Sequence, residues 1–343
     1  MKIQFVTRVF VSVFITLLMF CMTTISVQAK TFLRANSQYA EVQPGSQIMS
    51  WWAEEIKTRT DGEVEIKLFF GGALGKPKEN LALLQEQAID IAMMSPGYFP
   101  AELPFHAAPN SIPMAMASVD QAYELMTRLL EEIPALDEEA KANGAKTLLF
   151  QHLNPYKMVC KTHIQSLDDM KGKKFRTWGK DLPRAIEAVS ATPLTLFFPD
   201  IYEALASGNV DCIPVSMDVF LAYKWYEVAK HVHDITIWEG PTAGTWITRA
   251  AWDRLSPENQ KIVQQVSREA MTKDRDMTIA AGKTAIADLE AQGVQFHDFP
   301  AADAEKWRNA IPDFFTDFIN DMEALGKGDD ARKMIKIWKE VTL

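Results

Sequence analysis

The sequence predicts an α/β fold of parallel-sheet units, and three observations carry that reading. Between Lys171 and Ser216 the elements alternate strand, helix, strand, helix, strand, which is the repeating unit of a parallel sheet. Ile89 to Met94, following a glycine-rich turn and a helix, is apolar at every position but Asp90, as suits a central strand covered on both faces. The chain has 343 residues, a length for about two domains, and its composition of 48% hydrophobic and 24% charged residues provides for packed cores.

Met1 to Ala29 stands apart from the fold. Lys2 and Arg8 form a positive start, Val9 to Met22 is apolar, and Val27-Gln-Ala29 offers a small-residue cleavage site. That pattern is a secretory signal peptide, too short in its apolar core for a membrane span. Phe20 before Cys21 speaks against a lipid anchor. Without the leader the net charge moves from −9 to −11, a poor balance for nucleic acid or anionic lipid. Cys160 and Cys212 are then the remaining cysteines. Two cysteines in apolar strands make no disulfide scaffold, and buried free thiols are expected.

Thr31 to Ala35 opens the fold as a strand. Ile48, Trp52 and Ile56 recur at helical spacing from Ser46 to Lys57, and Asp61-Gly62 stops that helix. Val64, Ile66, Leu68 and Phe70 then alternate with period two. Gly71 to Gly75 lacks the lysine and hydroxyl of a phosphate cradle, so it reads as a tight turn into the helix Pro77 to Gln87. Ser95 to Pro100 is the loop at the carboxyl end of the strand Ile89 to Met94. Ser118 and Gln121 form a capping box for a helix that buries Ala122, Leu125, Met126 and Leu129.

Lys146 to Phe150 is a further strand. Lys171 to Arg176 reads as a turn feeding a strand, and Pro193 to Phe198 as the next strand. Pro199-Asp200 opens a helix with Ile201, Ala204 and Leu205 inward and Gly208 at its C-cap. Asn209 to Pro214 is strand again. Gly240 to Ile247 is another strand. Ser256-Pro257-Glu258 starts a helix that meets no breaker before Gly293. Trp307, Ile311, Phe314 and Phe318 mark an amphipathic tail.

Four short motifs in this order resemble the solute-binding proteins of TRAP (tripartite ATP-independent periplasmic) transporters. They are Lys171-Gly-Lys-Lys-Phe-Arg176, Pro193 to Phe198, Asp200-Ile-Tyr-Glu-Ala-Leu205 and Gly208-Asn-Val-Asp211. The resemblance implies a two-lobed periplasmic binding protein fold with crossing hinge strands and a long helix spanning both lobes. Lobe one would hold 30–150 plus about 239–285, and lobe two 151–238 plus about 286–343. Gln151 to Tyr156 and Ile235 to Trp238 would cross between them.

The residues alone leave two readings of Arg176 open: a cleft arginine whose planar fork grips a carboxylate, or a solvated arginine in a basic turn with Lys171, Lys173 and Lys174. The resemblance selects the first. It adds Phe198 as a lining aromatic, and Ser216 and Asp218 after the following strand. Ser95, Tyr98, Trp178 and Trp238, with Gln38 after the first strand, complete the candidate lining, and Trp246 is placed nearby. His231 and His233 have no evident third ligand, so no metal and no cofactor is expected. No nucleophile elbow surrounds Ser95, so no enzyme is expected either.

The implied function is periplasmic capture of a small organic carboxylate, by a monomer that closes on it and delivers it to TRAP membrane permease subunits. Delivery to a sensor is the rival within the binding class, and a secreted enzyme the rival outside it. Tyr156 and Tyr98 stand where sugar-acid-binding relatives carry arginines, and Val215 or Ser216 replaces their asparagine. An aromatic or branched aliphatic monocarboxylate therefore ranks first, a betaine- or ectoine-like zwitterion second, and a sugar acid last.

Overall fold

The structure is a computed structural model that describes residues 30–342, so the leader expected over 1–29 lies outside the described residues. Strand β1 (Thr31–Ser37), helix α1 (Pro44–Arg59) and strand β2 (Val64–Phe69) make the first unit, with β2 parallel to β1 and Ile66 opposite Leu33. Helix α1 buries Ile48, Trp52 and Ile56, the residues its periodicity singles out. A tight turn leads to α2 (Asn80–Gln85) and to β3 (Ile91–Met94), a strand buried at all four residues. Helices α3 (Pro104–Ser111), α4 (Val119–Glu132) and α5 (Pro134–Ala142) precede β4 (Ala145–His152). Ser118 caps α4 by accepting from the Gln121 amide, while the Gln121 side chain reaches back to the Ala117 amide, one residue beyond the box read from the sequence.

The chain then crosses to a second sheet. Its elements are β5 (Tyr156–Cys160), β6 (Lys174–Thr177), α6 (Leu182–Glu187), β7 (Thr192–Thr195), α7 (Ile201–Ser207), β8 (Cys212–Val215), α8 (Met217–Ala222) and β9 (His231–Trp238). Gly208 ends α7 at φ 74°, the left-handed conformation that glycine adopts without a Cβ penalty. Strand β7 is shorter than the apolar run implies: it stops at Thr195, because it is a partly exposed edge strand and Phe198 already belongs to the turn before α7. The chain crosses back into β10 (Pro241–Thr248) and continues through α9 (Arg249–Asp253), α10 (Pro257–Ala291), β11 (Gln295–Asp298), α11 (Ala301–Ala310), α12 (Phe314–Ala324) and α13 (Gly328–Thr342).

Two sheets result, in the strand orders β2-β1-β3-β10-β4 and β11-β9-β5-β8-β6-β7. The chain passes between them twice, between β4 and β5 and between β9 and β10. Helix α10, 35 residues long, packs on α1 and β4 beside the first sheet and on α8 beside the second. Ser256 caps it and Asp274 fastens it to a crossing strand, accepting from the His152 amide and, through its other oxygen, from the Gln151 side chain. Among the described residues no helix is long and apolar enough to cross a membrane. The final helix α13, expected with the second lobe, packs against α4: the Trp338 indole donates to Ala115 O and Lys333 to Glu132 O.

The cysteine expectation is overturned. Strands β5 and β8 are antiparallel neighbours whose register sets Cys160 opposite Cys212, with Cα atoms 4.1 Å apart, and the two form a disulfide. That pairing depends on which strands become neighbours, which no local signal in the sequence carries.

His231 and His233 lie on β9 and meet His163 and His297. The His163 ring stacks on His297 at 3.8 Å, and His231 Nδ1 lies 3.0 Å from His297 Nε2. The four planes are within 27° of one another where they stack, so their in-plane lone pairs do not converge on one point. Among the described residues no group of three acidic, histidine or cysteine side chains is arranged to hold a metal. His233 is fully buried, with Nε2 accepting from the Ile164 amide and Nδ1 beside Met158 O. Burial, with the neighbouring imidazoles, pulls its pKa down to about 4. A histidine depressed in the folded state leaves stability intact above its unfolded value of about 6.5. Stability is then lost as pH falls from there towards 4, because the unfolded chain takes up the proton first. Urea midpoints should drop across that window in the wild type, and His233→Gln should flatten this part of the decline; equal declines would remove His233 as a cause.

Candidate functional site

Residues at or just beyond the carboxyl ends of β1, β3, β6 and β9 line one cavity, as ligand sites on such sheets do. Arg176 projects from β6 and is only 2% exposed. Its guanidinium carbon lies over aromatic rings, 4.3 Å from the Trp178 centroid and 5.5 Å from Phe198, and its Nε donates to Leu196 O at 3.2 Å. The Tyr98 hydroxyl stands within its hydrogen-bonding reach. Among the described residues no carboxylate forms an ion pair with Arg176. A buried cation without a counter-charge is costly, and that cost falls when an anion is brought to it.

Aromatic side chains build the rest of the wall. Tyr156, Trp178 and Trp238 pack edge to face at 4.9–5.7 Å, and Tyr39 meets Phe198 at 5.4 Å. Burial pushes the Tyr98 phenol up and the Tyr156 phenol well up, against the pull of Arg176. Both therefore remain neutral hydrogen-bond donors. Ser95, at the end of β3, donates to Asn110 Oδ1 at 2.8 Å.

Asn110 gathers several elements at one point. Its Oδ1 also accepts from the Gly97 amide, its Nδ2 donates to Pro241 O at the crossing strand, and its carbonyl accepts from the Trp178 indole. The approach is so close that a Cβ on Gly97 would come within 2.3 Å of Asn110 Oδ1. Further bonds draw the lobes together: Ser111 donates to Asp181, while the Tyr223 hydroxyl accepts from the Ala40 amide and donates to Gln43. The cavity left around Arg176 is about 10 Å³, room for roughly one water. A cavity of that size does not hold a solute such as a sugar acid.

The family model for the bacterial extracellular solute-binding proteins, family 7 (DctP), matches residues 36–321. The chain belongs to this family. Solved structures agree in fold with this family 7 chain. A TRAP periplasmic solute-binding protein of Sulfitobacter with bound β-D-galacturonate superposes with a TM-score of 0.77 at 20% identity, covering 90% of this chain and all of that one. An extracytoplasmic solute receptor of Bordetella pertussis that binds pyroglutamic acid gives 0.81 at 18%, covering 90% and 99%. A TRAP periplasmic solute-binding protein of Desulfovibrio salexigens with bound orotic acid gives 0.79 at 24%, covering 91% and 99%.

Of the residues picked from the sequence, Ser95, Tyr98, Arg176, Trp178, Phe198 and Trp238 line the family 7 cleft together. Gln38 lies behind them, with its Oε1 accepting from the Ser95 amide at 3.3 Å. Ser216 and Asp218 are buried but do not line the cavity. Trp246 belongs instead to the core of the first sheet, against His106 and Phe150. Tyr39, Asn110 and Tyr156 line the cavity and were not selected. Tyr156 had a signal, its place in the crossing; Tyr39 and Asn110 had none.

Proposed function

We propose that this chain captures a small organic carboxylate outside the cytoplasm, with Arg176 as its anchor, and delivers it to a TRAP membrane permease. The buried Arg176 guanidinium, unpaired by any described acid, is the observation that carries this reading. A carboxylate on it gains two parallel charge-assisted hydrogen bonds and removes the cost of the lone charge. The neutral hydroxyls of Tyr98 and Tyr156 offer further donors, and the rings of Trp178, Phe198 and Trp238 cover the remainder of the solute. Galacturonate, pyroglutamic acid and orotic acid, bound by proteins of the same fold, each carry such a group.

The protein acts by binding and release, not by catalysis. Its lobes open at the two crossings, and the solute selects the closed state by contacting both sides at once. Screening carboxylates for a rise in melting temperature tests the reading, since a ligand that binds only the folded protein stabilises it. At least one compact carboxylate is expected to do so, and its saturation to reduce the radius of gyration in small-angle scattering. A screen in which neutral and cationic solutes stabilise the protein and carboxylates do not would reject it.

A further inference from the structure

The strand orders show which edges of the two sheets lie farthest from the hinge. The chain crosses between the sheets from β4 to β5 and from β9 to β10, while β2 and β7 form the opposite edges. Rotation about the crossings moves those far edges the most. One contact joins them. Phe197 lies in the turn after β7, and the Lys78 ammonium, between β2 and α2, stands 5.2 Å from the centroid of its ring. The same ring packs on Tyr98, beyond the end of β3, with centroids 4.7 Å apart and planes at 83°.

Phe197 is half-buried and does not itself line the cavity around Arg176. Its two neighbours in the chain belong to the site directly: Leu196 O accepts from Arg176 Nε, and Phe198 lines the cavity. Tyr98, which holds the Phe197 ring from the first sheet, lines the cavity as well. The ring is thus tied to the anchor from both sides without facing the solute. Its partners across the cleft are protein groups, one aromatic and one cationic.

We propose that Phe197 is the gate of the cleft, a positioning residue that seats against Tyr98 and Lys78 on closure and sets how long the solute stays. The inference rests on the carboxylate reading of the same cleft. An edge-to-face ring pair and a cation over the ring favour the closed state by the same amount whatever the solute is. The solute enters before these contacts form and leaves after they break. The gate therefore acts on the rate of release and on every solute alike, whereas Arg176 and the lining rings choose among solutes.

Stopped-flow release of pyroglutamate, orotate and galacturonate tests the gate in wild type, Phe197→Ala, Phe197→Tyr and Lys78→Met. Phe197→Ala should release each probe that binds about tenfold faster, by one common factor, with the association rate and the melting temperature of the free protein unchanged. Phe197→Tyr should restore slow release, and Lys78→Met should speed it by a smaller factor. Equal release rates in wild type and Phe197→Ala overturn the gate. A lower melting temperature with no change in release assigns Phe197 to stability alone and overturns it too. A second arm needs no solute: Lys78→Cys combined with Phe197→Cys is treated with a short and a long bis-maleimide. Bridging by both reagents shows that the contact parts; bridging by the short one alone overturns the gate. If only neutral solutes bind, the carboxylate reading fails and the gate is judged on their release. Should Phe197→Ala fail to fold, Phe197→Leu and the cross-linking arm decide.

Discussion

Arg176→Ala folds with its melting temperature unchanged or raised and loses nearly all affinity for its carboxylate. The two halves of that result have one cause. Arg176 is 2% exposed and has no acidic partner among the described residues, so in the empty protein it is a burden of desolvation, offset in part by the rings of Trp178 and Phe198. Removing it relieves that burden. In the complex it is the counter-charge, and truncating one member of a buried charged pair costs about 2–5 kcal/mol, or roughly thirty-fold to several thousand-fold in affinity. Arg176→Lys keeps the charge and loses the planar fork, so it should recover little of the loss. Lys173→Ala is the control, because the Lys173 ammonium lies at the surface beside Thr162 and does not line the cleft. Calorimetry with any carboxylate that stabilises wild type decides the matter. Equal affinity in wild type and Arg176→Ala would sink the anchor assignment.

Replacing Cys160 and Cys212 together by alanine should lower stability by about 4 kcal/mol, as the chain-entropy account gives for a loop of this size. The disulfide closes 52 residues of sequence separation, from β5 to β8, and the loop contains the whole β-α-β-α segment that carries Arg176. In the unfolded chain the link restricts that segment; without it the second sheet must assemble against the full loop entropy. Urea unfolding of wild type with and without reductant, beside the double alanine variant, measures the effect. Coincident midpoints would show that the bridge contributes nothing. Such bonds persist in oxidising compartments, which agrees with a family whose members work outside the cytoplasm.

The sequence by itself determined the elements whose causes lie within a few residues. Gly208 ends α7 because a left-handed residue is needed there, Ser118 and Ser256 cap their helices through a hydroxyl three residues from the amide it accepts, and the buried face of α1 follows from the spacing of Ile48, Trp52 and Ile56. The position of Arg176 near the end of a parallel strand is of the same kind, since the β-α-β unit makes β6 and β7 parallel and sets their ligand-binding end.

Only the tertiary structure decided which distant residues meet. The Cys160–Cys212 bond needs β5 and β8 to be antiparallel neighbours in one register. Asn110 becomes a cleft residue because the crossing strand brings Pro241 to its amide and the second sheet brings Trp178 to its carbonyl. Trp246 has the composition of a cleft aromatic, yet its place on β10 turns it into the core of the first sheet, against Phe150. Contacts of this kind depend on long-range register and on the angle between lobes, which periodicity, caps and turns leave open.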